Sequence, residues 1–156
     1  MSSDITIQKL KEIFENNLEK RILVVGSTCV GKTTLLKSFP QCLDSDNLIW
    51  GMLPKETQEE LSTPSWTSEM SNTWREYVIK AKQIIKIEPG QPLFAATLFD
   101  IVNCDIIVYL SIDENTLRER TNKRNVKFEV AIENDNQIKK DMNATNLPII
   151  VVDIKT

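Results

Sequence analysis

Gly26-Ser-Thr-Cys-Val-Gly31-Lys32-Thr33 places two of the chain's four glycines in one short stretch and follows them with a lysine and two hydroxyl side chains. The spacing is G-x-x-x-x-G-K-[ST], with an apolar run before it and an amphipathic run after it. A loop that wraps a polyanion needs backbone conformations that glycine adopts easily and other residues do not. Its successive N–H groups then point inward, and the helix that follows adds its positive N-terminal end. The candidate phosphate-binding set is Gly26, Ser27, Thr28, Cys29, Val30, Gly31, Lys32, Thr33 and Thr34. Within it Lys32 would reach the β- and γ-phosphates of a nucleoside triphosphate, and Thr33 would place its hydroxyl on Mg²⁺. Cys29 falls inside the loop, and its side chain is expected to turn away from phosphate.

Two other groups could act at the same place. Asp44 and Asp46 stand in CLDSDNLIW, just past the first helix after the loop. If residues 42–46 are extended, the two carboxylates share a face and point to the crevice at the carboxyl ends of the strands. The alternative is a solvated Asp-Ser-Asp-Asn turn. Arg118, Arg120 and Arg124 follow in SIDENTLRERTNKRN. Arginine binds phosphate through a rigid fork, which suits chemistry done mostly by positioned positive charge. Glu114 and Arg118 also read as an ordinary i,i+4 surface pair.

The elements that must carry these residues follow from periodicity. Residues 4–19 have apolar residues at helix spacing, and residues 21–25 form a continuous apolar run typical of a strand covered on both faces. Helix is expected over Lys32–Phe39, a fragment plus loop over 54–68, and a long helix over Glu69–Lys86. Leu93–Thr97 is a candidate strand with a short helix over Phe99–Val102. DIIVYL (105–110) is a buried strand and Pro148–Asp153 the last strand, with helices over Glu114–Lys123 and Glu129–Met142 between them. Strands alternating with helices imply a mostly parallel sheet covered on both faces. PLFAATLFD would end a strand on an acid at Asp100 if the strand runs that far; if it stops at Thr97, that residue faces the crevice. Asp105 opens its strand and so lies at the opposite edge. Trp66, Trp74, Arg75 and Tyr77 could line an acceptor site, with helix core the plainer reading of Trp74 and Tyr77.

Composition narrows the classes. The chain has 156 residues, 41% hydrophobic and 26% charged, which is ordinary for one globular domain. Its net charge of −3 argues against stable nucleic-acid binding or an acidic membrane surface. With no His, a His-based triad and a Cys/His zinc site are excluded. No apolar stretch reaches membrane-spanning length, and the three cysteines show no metal spacing, so a reduced cytoplasmic protein is expected.

The loop in its strand-and-helix setting resembles the P-loop nucleoside triphosphate-binding proteins. The D-x-D and the Arg120/Arg124 pair are similar to features of the nucleoside-monophosphate-kinase and shikimate-kinase-like group. That resemblance implies a three-layer α/β P-loop NTPase fold over 21–156, with five parallel strands in the order 2-3-1-4-5; the helix that the spacing gives within residues 1–20 is expected to pack on it. It implies ATP and Mg²⁺ as cofactors and transfer of the γ-phosphoryl group to a small acceptor, with nucleosides or nucleotides leading. Lys32 then holds phosphate, Asp44 is the magnesium-side acid beside Thr33, Asp46 the acceptor-side acid, and Arg120 and Arg124 close on the phosphoryl group. The alternatives are an ATP-binding or ATPase switch module and a non-catalytic nucleotide-binding protein. The chain lacks the D-G-[FY]-P-R and G-G-G segments of those kinases, its lid would span only 122–128, and Asn122-Lys-Arg-Asn125 lacks the acid by which GTPases read guanine.

Overall fold

Ile22–Val25 is apolar at every position, and all four residues are buried as the central strand, β1. In the computed structural model, which describes residues 2–63, 66–98 and 104–154, four further strands join it. They are β2 (Leu43–Asp44), β3 (Leu93–Ala95), β4 (Ile106–Ser111) and β5 (Ile149–Asp153). The order is β2-β3-β1-β4-β5, with every neighbouring pair parallel. The sheet is therefore the parallel five-stranded α/β arrangement, in the strand order, that the sequence implied. Seven helices lie among the described residues: α1 (Ser2–Asn16), α2 (Lys32–Leu36), α3 (Ser45–Met52), α4 (Lys55–Leu61), α5 (Ser68–Ile84), α6 (Glu114–Lys123) and α7 (Phe128–Asn143). None of the described helices is long and apolar enough to cross a membrane.

Alternate residues of a strand face opposite sides, and the sheet accordingly separates two cores. Leu23 and Val25 face Ile49 of α3, Ala81 of α5 and Ile138 of α7. Ile22 and Val24 face Leu10 and Phe14 of α1 and Leu35 of α2. Phe14 meets Phe39 edge-on, with ring centroids 5.1 Å apart. The N-terminal helix thus buries a full apolar stripe on the face that also carries α2.

Three local expectations are corrected. Helix α2 ends at Leu36 rather than Phe39, because Pro40 disfavours helical backbone at the residue before it; Ser38 and Phe39 donate instead to Leu35 and Leu36 in tighter turns. Residues 42–46 are not extended throughout. The strand stops at Asp44, whose Oδ1 accepts from the Asp46 N–H at 3.1 Å, so Asp44 caps a helix that starts at Ser45. The third concerns α3 itself, for which no helix was expected: its apolar residues Leu48, Ile49 and Met52 join the core. The helix expected over Phe99–Val102, and Asp100 with it, lie outside the described residues.

The register of α7 is held by a buried polar contact. The Tyr109 hydroxyl, on β4, donates to Asp135 Oδ1, and Lys139 approaches the other carboxylate oxygen at 3.1 Å. Burial, then Asp135, holds the Tyr109 phenol above its ordinary pKa. Asp135→Ala would strand the phenol without an acceptor. It is expected to lower unfolding free energy by about 2 kcal/mol, read as a drop in the urea midpoint at unchanged slope; an unmoved midpoint would refute the anchoring role.

Candidate functional site

At the carboxyl end of β1 the chain turns through residues 26–31 into α2. The two loop glycines are there for different reasons. A Cβ on Gly26 would lie 2.9 Å from Val30 Cγ1 and 3.1 Å from Leu110 Cβ, so close packing requires its absence. Gly31 instead has φ 100, which glycine adopts readily and other residues rarely. Cys29 also has positive φ, at 69. Its side chain is buried with Leu117 and Ala131, which hold the unfavourable backbone in place, and its sulfur lies 3.9 Å from Thr28 Oγ1. Conformational freedom therefore explains Gly31 only; Gly26 answers to packing.

Lys32 folds back over its own loop. Its Nζ donates to the carbonyls of Gly26 at 2.6 Å and Ser27 at 2.8 Å. Burial lowers the ammonium from 10.5 to about 8, against the opposing pull of Asp46 and Asp44. Asp46 is shifted the other way: burial and then the neighbouring Asp44 raise it, with Lys32 partly compensating. From the far side of the loop, Arg120 Nη1 donates to the Val30 carbonyl at 2.7 Å. Two cations therefore rest on carbonyl oxygens of one short loop.

These groups open onto one cavity of about 580 Å³. Its wall includes Lys32, Thr33, Thr34, Asp46, Arg120 and Arg124, brought together from α2, α3 and α6. Thr28, Cys29, Val30 and Gly31 complete the loop side, while Gly26 and Ser27 lie buried behind it. Asp46 lines the cavity, while Asp44 accepts the Asp46 N–H as the cap of α3, and its charge still acts on Asp46 and Lys32. Arg118 lies over the Phe128 ring at 3.9 Å and pairs with Glu114 at 3.7 Å, the surface role its spacing suggested. Trp74 and Tyr77 pack against the α5 side of the core. Trp50, Trp74 and Trp66 form a chain with centroids 6.4 and 6.0 Å apart. Asp105 grips Arg21 at the opposite edge of the sheet, Oδ1 to Nη2 at 3.1 Å.

Sequence reading missed two members of this neighbourhood. Lys123 lines the cavity beside Arg124, and its signal was available as the residue one helical turn after Arg120. Asn134 gave no signal at all. Its Oδ1 accepts the Thr28 N–H at 2.8 Å, and its Nδ2 donates to the Ala96 carbonyl at 2.8 Å. One α7 side chain thus ties the loop to the end of β3, next to the Asp135 anchor. Asn134→Ala would release that tie. If the loop holds a triphosphate, as its motif implies, this variant is expected to weaken that binding about five- to tenfold, the size of one lost positioning hydrogen bond, with Asn134→Asp weaker still because it adds negative charge beside the loop. Titration calorimetry of both variants checks this; wild-type affinity in both would refute it.

Fold and site together define a parallel α/β protein with a cation-rich cavity at the carboxyl end of its central strand. No protein-family model matches the chain, and no curated protein matches it.

Proposed function

We propose that the chain is a P-loop phosphotransferase that moves the γ-phosphoryl group of Mg·ATP to a small acceptor, with nucleosides and nucleotides the leading class. The observation that carries this reading is the convergence of Lys32, Arg120 and Arg124 with Asp46 on one cavity, around a glycine loop between a buried parallel strand and a helix. Parallel α/β sheets bind ligands at this end of their strands.

In this reading the triphosphate draws Lys32 and Arg120 from the loop carbonyls to its own oxygens. Arg124 and Lys123 add charge at the rim. Asp46, raised by burial, takes the proton of the acceptor hydroxyl as the new oxygen–phosphorus bond forms and the β–γ bridging bond breaks, releasing ADP. Among the described residues no group of three or more His, Cys, Asp or Glu side chains could hold a metal by itself. Thr33 with Asp44 offers hard oxygen donors suited to Mg²⁺ arriving with the nucleotide, where it would neutralise phosphate charge.

The test is transfer from γ-labelled ATP with Mg²⁺ to a panel of nucleosides, nucleotides and hydroxylated metabolites. Label on one acceptor class supports the proposal. Label released only as inorganic phosphate supports an ATPase or switch module instead. Bound nucleotide with no label moved supports a non-catalytic binder.

A further inference from the structure

The cavity wall carries a second chemistry. Besides the loop and α6 it includes Thr6 of α1, Leu35 of α2 and Ile154, the residue after β5, and Leu35 and Ile154 belong to one apolar cluster. Thr6 is held firmly there. Leu10 and Phe14, one and two turns further along α1, are buried in the core. Ile154 is tied down by its N–H, which donates to the Ser111 carbonyl at 2.7 Å.

Thr6 is 2% exposed, and its hydroxyl has no hydrogen-bond partner among the described residues. A buried hydroxyl without a partner is unfavourable, and a helical threonine ordinarily settles its hydroxyl on the preceding turn. Threonine in a helix also divides between two χ1 wells, so a ligand able to pair with the hydroxyl can select the well that meets it.

Lys32, Arg120 and Asp46 give part of the lining charge, suited to phosphates and acceptor, while Leu35 and Ile154 give it apolar surface, with Thr6 buried alongside them. A nucleoside base has apolar faces and a hydrogen-bonding edge, so it matches the apolar lining when the phosphates sit on the loop. We propose that α1 completes the nucleotide site and that Thr6 is the residue that reads the base. This rests on the nucleotide-binding reading above. A hydroxyl both donates and accepts, so it can meet either kind of base-edge group.

Thr6→Val tests the proposal, since it removes the hydroxyl, keeps the branched shape and has similar helix propensity. Removing α1 would not serve, because Leu10 and Phe14 belong to the core. The full chain is titrated with ATP, GTP, CTP, UTP and inorganic tripolyphosphate. Thr6→Val is expected to bind tripolyphosphate like wild type, to lose about five- to tenfold in affinity for the best nucleotide, and to narrow the spread among bases. Its melting temperature should be no lower than wild type. Wild-type affinity for all four nucleotides, or an equal loss for tripolyphosphate, would overturn the assignment. Lys32→Met on the same panel separates the two readings: if wild type binds tripolyphosphate no better than this variant, the loop assignment fails and takes the base-reading role with it.

Discussion

Lys32→Met is expected to lose nucleotide affinity by at least about a hundredfold while melting no lower than wild type. The first half follows from charge-assisted hydrogen bonds to phosphate; each such bond is worth about 1.5–3 kcal/mol. The second follows from the resting state. The ammonium sits on two carbonyls inside the loop, and burial holds it at about 8, well below 10.5. A cation so placed opposes folding at neutral pH, and methionine keeps the stem without the charge. The sign can be checked by titration. Because the folded chain releases this proton near pH 8 and the unfolded chain near 10.5, the unfolded state binds more protons between those values, so stability from this group rises with pH across that window. Nucleotide affinity runs the other way. A bound triphosphate keeps Lys32 protonated, so binding above about pH 8 takes up a proton, and affinity should fall by up to about tenfold per pH unit. Calorimetry from pH 7 to 10 reads both the fall and its absence in Lys32→Met. A variant that still binds ATP like wild type would remove the basis of the proposed function.

Asp46→Asn is expected to reduce kcat by about a hundredfold to ten-thousandfold, the range for losing a positioned general base, with ATP affinity unchanged or slightly tighter. Affinity is spared because Asp46 brings negative charge to a cavity built around cations, and its loss removes repulsion from phosphate. The pH profile distinguishes a proton acceptor from a merely structural acid. Burial and Asp44 raise the Asp46 pKa above 3.8, so kcat in wild type should climb with pH through that raised value as the carboxylate forms. Asp46→Asn should lack that limb. If the variant turns over like wild type, or keeps the same acid limb, the acceptor-side role belongs to another group. Asp44 carries a different expectation from its neighbour because its carboxylate already caps α3.

Much of the architecture was legible because each strand announces itself locally. Residues 22–25, 106–110 and 149–152 are apolar runs too short for helices, and helical periodicity fills the gaps between most of them. Repeated strand–helix alternation leaves few ways to build a parallel sheet, and the observed order is the one that the motif resemblance implied. The glycine loop was legible for the same reason: its signal is contiguous. Where a signal was local but ambiguous, reading failed. Asp44-Ser-Asp46 suits an extended pair, a turn or a capped helix start, and only the packing of Leu48, Ile49 and Met52 against the sheet selects the last.

What sequence by itself determined about this protein is most of its elements and the residue types at the loop. Tertiary structure alone decided which distant side chains meet there. Asn134 reaches Thr28 across 106 positions, and Arg120 reaches Val30 across 90. Thr6 enters the cavity wall only because α1 folds onto the same face of the sheet as α2. Nor does any local pattern say that Gly26 is required by Leu110 on the neighbouring strand. The reason is physical. Propensity and periodicity act over a turn or two of chain, whereas a cavity is assembled from the ends of elements whose proximity depends on how the whole sheet is ordered and covered.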